Sequence, residues 1–143
     1  MRNTIIACLL AASSMFTGLP PAACQDLVIS SPDKNLVLRV DLRQKIYYSV
    51  WHKGNLILSY SPVSLSIKDG DILGERPQLL DHKTVTVDEV IRPPYGRRKE
   101  IRDNYNRMTL DFAGNFSVEF RAYNEGVAYR FITRIKGNIT VTG

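Results

Sequence analysis

NFSVEFRAYNEGVAYRFI, residues 115–132, decides how the rest of the chain is read. Phe116, Val118, Phe120 and Ala122 fall on one side of an extended segment, and Ser117, Glu119, Arg121 and Tyr123 on the other. A period of two is the mark of a strand with one buried face. Asn124-Glu125-Gly126 follows, and a three-residue loop ending in glycine predicts a type I turn closed by a left-handed residue. Val127, Tyr129 and Phe131 then alternate with Ala128, Arg130 and Ile132. The stretch is therefore expected to be a β-hairpin.

The same alternation recurs upstream. Leu27 to Ile29 suits a short strand, and the cluster Ser31-Pro32-Asp33-Lys34-Asn35 suits a turn. Leu36, Leu38, Val40 and Leu42 share one face of a strand, and Ile46, Tyr48 and Val50 share one face of the next. His52-Lys53-Gly54-Asn55 turns the chain, and Leu56-Ile57-Leu58 begins a return arm that is expected to break at Ser59 to Pro62. Val63, Leu65 and Ile67 alternate again, and Ile72 to Leu80, with Gly74 and Pro77, is expected to be irregular. Thr84 to Val90 is β-branched and alternating. Pro93 and Pro94 remove two ladder donors and interrupt the sheet. Arg97 to Tyr105 fits an edge strand or a loop, and Met108, Leu110 and Phe112 mark the next strand. Ile139 to Thr142 opens another. No stretch of the 25–143 region carries a helical period. The expected fold class is all-β, an antiparallel β-sandwich.

The first 24 residues have the layout of an export signal: Arg2, an apolar run from Ile5 to Phe16, then Ala22 and Ala23 before polar Gln25. That run is shorter than the ~20 residues a membrane span needs. Cleavage is expected near Ala23 or Cys24, in an exported, periplasmic protein. Pro-Ala-Ala-Cys also has the form of a lipoprotein box, with Cys24 as the lipidated residue. Cys8 and Cys24 are the only cysteines, so residues 25–143 hold no disulfide and no thiolate metal site. That region amounts to one domain. The net charge of +5 is scattered apart from Arg97-Arg98-Lys99, which argues against a nucleic-acid stripe and for a solvated surface.

Catalytic signatures are sparse. Most of the carboxylates fall in turns or on outward strand faces, where surface residues belong. His52 and His82 lie in expected turns, too few and too far apart for a zinc site. Asp69-Gly70-Asp71 lacks the twelve-residue oxygen pattern of a calcium loop. Pro93 to Tyr105 is denser: Tyr95, Arg97, Arg98, Arg102, Asn104 and Tyr105 supply aromatic planes and forked donors. Those groups fit contact with another domain, contact with a sugar, or a solvated loop. No catalytic or metal-binding residue is assigned.

Four stretches together resemble the N-terminal domain of glycoside hydrolase family 97, the bacterial α-glucosidases and α-galactosidases. They are SPDKNLVLRVDL with YYSVWHKGNLIL; SPVSLSI; PPYGRRKEIRDNYNRMTLDF; and FSVEFRAYNEGVAYRF. IRDNYN ahead of FRAYNEGVAYRF is the most telling pair. The resemblance implies a β-super-sandwich similar to the galactose-mutarotase fold, of which this chain would hold about half. It also implies a (β/α)₈ barrel elsewhere in the parent, carrying the catalytic carboxylates, with a calcium ion assisting and none of its ligands in this chain. On that basis the domain braces the barrel and helps wall a pocket for α-glucosides or α-galactosides. The reading from a different class is a stand-alone sandwich that binds carbohydrate or protein without catalysis.

Overall fold

A computed structural model describes residues 27–68, 71–94 and 100–142. The expected export signal, Tyr95, Arg97, Arg98 and the Asp69-Gly70 step lie outside them.

Among the described residues ten strands form in chain order: β1 (Leu27–Ser30), β2 (Leu36–Leu42), β3 (Ile46–His52), β4 (Asn55–Val63), β5 (Leu65–Ser66), β6 (Ile72–Leu73), β7 (Leu79–Ile91), β8 (Ile101–Phe112), β9 (Phe116–Ala122) and β10 (Val127–Thr133). None of the described residues is helical. One sheet runs β1-β2-β3-β4 and the other β10-β9-β8-β7, every pair antiparallel, with β5 and β6 as a small separate ladder. Strands adjacent in the chain are adjacent in each four-stranded sheet, which makes this a pair of meanders, as the alternating pattern predicts.

The sheets face each other across one core. Leu27, Ile29, Leu38, Val40, Ile46 and Val63 meet Met108, Leu110, Phe112, Phe116, Val118, Phe120 and Ala122. Burying a side chain of this size contributes about 1.5–3 kcal/mol, so the inward face of each strand holds the fold together. Gly74 threads a narrow gap in the left-handed region (φ 95°), where an added Cβ would sit 2.5 Å from the Val63 carbonyl oxygen. Its own carbonyl accepts from Ile46 N–H at 3.1 Å and ties the β6 region to β3.

Several expectations are corrected. Asn124-Glu125-Gly126 does not form a three-residue loop: Ala122 pairs with Val127, Tyr123 N–H donates to the Gly126 carbonyl at 2.8 Å, and Gly126 is not left-handed. The three-residue register would have placed Phe131 opposite Glu119; the observed one keeps both apolar faces together, and packing outranks turn preference. The β4 strand does not stop at Ser59. It runs through Pro62, which an edge strand tolerates. The expected irregular stretch contains β6 and the start of β7. His52 and His82 lie in strands, not turns. The last segment forms no regular strand, but Val141 bridges Ile67, and Thr140 and Thr142 exchange backbone hydrogen bonds with Lys68 and Ser66.

Strand β8 has two different halves. Asn106 to Phe112 is flanked by β7 and β9, whereas Ile101 to Tyr105 pairs with β7 alone. The outer half is a two-stranded ribbon standing beyond the sandwich, with Val90, Ile91 and Ile101 exposed. At its root the Asn106 carboxamide donates to the Ser30 carbonyl (2.7 Å) and accepts from the Thr86 hydroxyl (2.7 Å), which joins the two sheets.

Candidate functional site

Strand alternation divides the residues that the sequence singled out. Arg102 and Asn104 continue the face that carries Met108, and Tyr105 belongs to the opposite face. Arg102 makes a forked pair with Asp88, 2.8 Å through each of two nitrogens, on the exposed ribbon. That hydrogen-bonded pair, and the attraction of the guanidinium charge, hold Asp88 below the usual carboxylate range. Asn104 stands opposite Asp88 and is half-exposed. Tyr105 is buried, its ring 4.8 Å from that of Tyr123 and 4.7 Å below the Arg121 guanidinium. The three described members of the segment therefore do not converge on one patch.

Instead, the outward face of the second sheet gathers a network that the sequence reading did not single out. Glu119, at the middle of β9, is 3 % exposed, and among the described residues the side chains that contact its carboxylate are arginines. Arginine side chains form the cover. Arg121 reaches Glu119 at 2.7 Å, Arg130 of β10 at 3.1 Å and Arg107 of β8 at 3.9 Å. Burial disfavours the charged carboxylate, and the hydrogen bonds from Arg121 and Arg130 outweigh it, so Glu119 is held below its ordinary value. Beside it, the fully buried Ser117 hydroxyl donates to Asp111 at 2.5 Å, and Arg134 donates to the same carboxylate at 2.8 Å. Both contacts, the hydroxyl's first, lower the Asp111 pKa. A cavity of about 210 Å³ opens over Glu119, Arg121, Tyr123, Ala128, Tyr129 and Arg130.

Chemically, this is a fixed, positively charged surface. One carboxylate stands among three guanidinium groups, and it is ionised and ion-paired, the opposite of the raised, protonated carboxyl that a general acid needs. The arrangement suits recognition rather than proton transfer. The signal for it was present in the sequence: once Ala122 pairs with Val127, Arg130 must stand opposite Glu119. Among the described residues, no group of three or more His, Cys, Asp or Glu side chains is placed to hold a metal ion.

The fold is an antiparallel β-sandwich with one strongly charged outer face. The family model for the glycosyl-hydrolase 97 N-terminal domain matches residues 29–143, and the chain belongs to that family. It is 38% identical over 114 residues to a retaining α-galactosidase of Bacteroides thetaiotaomicron, covering 80% of this chain and 17% of that protein. A family 97 enzyme of Pseudoalteromonas sp. strain K8, solved with panose and with acarbose, shares the fold with a TM-score of 0.71 at 23% identity. That match covers 80% of this chain and 19% of the enzyme. A β-arabinopyranosidase structure matches with a TM-score of 0.70 at 26% identity, over 82% of this chain and 20% of its own. The chain thus spans about a fifth of the proteins it matches.

Proposed function

We propose that this chain is the non-catalytic brace of an exported family 97 α-glycosidase. It supports the catalytic barrel and helps wall the pocket for a terminal α-galactoside or α-glucoside. The observation that supports this most is the coverage: residues 29–143 match a domain model, while the α-galactosidase relative is several times longer. Four of the described carboxylates support it too. Glu119, Asp111, Asp88 and Glu100 are all engaged with arginines, which leaves them as structural charges. The arginine face over Glu119 is the contact surface this reading assigns to the barrel side. If the parent uses calcium, its ligands come from outside the described residues of this chain. Residues 1–24 direct export to the periplasm, with Cys24 as the lipid-bearing residue if the box is used.

The test compares this chain with the longer protein that carries it, on chromogenic α-galactoside and α-glucoside. The longer protein hydrolyses one of them and this chain hydrolyses neither. Turnover by this chain alone overturns the proposal and favours a self-sufficient activity. Its mass after recovery from the cell envelope shows whether residues 1–24 are removed.

A further inference from the structure

The opposite side of the molecule, the outward face of the first sheet, carries a second feature. Strand β4 is bulged against β3: Tyr48 pairs with Ser61 and Val50 with Leu58, so Ser59 and Tyr60 together face Ser49. Tyr60 sits in the bulge with φ 41°. Left-handed backbone at a bulky aromatic residue is a true outlier and is strained. Bulges of this kind re-aim a side chain. Here the side chain is aimed outward: Tyr60 is 51% exposed, and its ring meets Tyr47 at 6.2 Å with an interplanar angle of 68°. The two rings form a corner. Arg43 lies 5.3 Å over the Tyr60 ring, and its Nη2 donates to the Tyr60 hydroxyl at 3.3 Å. Arg43, Gln44, Tyr47 and Tyr60 enclose an open hollow of about 310 Å³.

The Tyr60 N–H donates to the buried Ser49 hydroxyl at 3.3 Å, a backbone contact that any residue but proline could make at this position, so it does not call for a tyrosine. The Tyr60 ring lies outside the hydrophobic cluster, and glycine or asparagine would occupy the same backbone with less penalty. Strain without a folding benefit points to use of the side chain. The lining has the chemistry of saccharide recognition: an aromatic corner for the C–H faces of a pyranose ring, with a guanidinium fork, an amide and phenol hydroxyls for its ring of alcohols. The volume lies at the lower end of the small-ligand range.

We infer that the Tyr47–Tyr60 corner, flanked by Arg43 and Gln44, is a binding site for one pyranose unit of a neutral saccharide. This site goes beyond the bracing role and stands apart from the arginine face over Glu119. It would hold the sugar chain on the scaffold and leave the reaction to the rest of the protein.

The test is titration of the chain with panose and with methyl α-galactoside, followed by calorimetry and by chemical shifts, in wild type and in Tyr60→Gly. Wild type binds at least one of them saturably, and the shifts centre on Tyr47 and Tyr60. The glycine variant relieves the strained backbone, so its melting temperature is equal or higher, yet its affinity falls about tenfold, the loss expected for one aromatic contact. Absence of saturable binding up to tens of millimolar sugar overturns the inference. So does unchanged affinity in Tyr60→Gly, or binding of inorganic phosphate alone. Because no hydrolysis is measured, the outcome is independent of whether the longer protein proves to be an α-glycosidase.

Discussion

The two faces of β9 are almost equally dry and are dried by opposite means. Phe116, Val118, Phe120 and Ala122 are covered by a second sheet, and each is at most 5 % exposed. Ser117 and Glu119 on the other face are no more than 3 % exposed, and among the described residues their polar groups are met by side chains of neighbouring strands and of Arg134 just past β10. The first face excludes water because apolar area is driven out of it. The second excludes water because three arginines converge on one carboxylate, so their aliphatic stems and planar heads lie over it. Burial in a sheet protein therefore does not by itself identify the core side. What identifies it is whether the cover is a layer of backbone or a layer of charge.

The comparison can be broken from either side. Phe120→Ala attacks the apolar face where the ring is fully buried and packs on Tyr48 and Tyr129. It should destabilise the domain by about 3–5 kcal/mol, measured by denaturant unfolding. Glu119→Ala attacks the other face and leaves Arg121 and Arg130 without their acceptor; the expected loss is about 2 kcal/mol, since the arginines retain access to water.

Acid should reproduce part of that second loss. Glu119 and Asp111 titrate below their ordinary values of 4.5 and 3.8 in the folded protein. Each therefore stabilises the folded state fully above its unfolded-state pKa, and this contribution fades as the pH falls through the folded value. Melting curves recorded from about pH 6 down to about pH 3 should fall less steeply in Glu119→Gln than in wild type. A parallel fall in both proteins would mean that the carboxylate is not ion-paired in solution. The smallest effect is reserved for the ribbon. Arg102→Ala removes a forked pair that is open to solvent on both sides, and the unfolding midpoint should not move measurably.

How much of this was legible beforehand depended on whether the cause was local. The apolar faces of β2, β3, β8 and β9 were readable because a period of two needs no knowledge of partners. The length of β4 was not, because continuing past Ser59 requires Tyr60 in a rare conformation that no propensity favours. The burial of Glu119 depends on Arg107 and Arg130, brought in from two flanking strands, and a register error of one residue at the hairpin would have hidden it. Proximity in sequence does not bring Arg102, Asn104 and Tyr105 to one face, because neighbours along a strand point to opposite sides. The family resemblance carried the reading of the whole further than the residues alone could.

The ribbon formed by the outer halves of β7 and β8 is tied to the body at its root. Five residue pairs, from Val87–Tyr105 to Ile91–Ile101, extend past the last rung that β9 supports. At the usual rise per residue that is an overhang of about 17 Å. At the root of this arm the Asn106 carboxamide donates to the Ser30 carbonyl of the opposite sheet, so the base of the overhang and the seam between the two halves of the body share a contact.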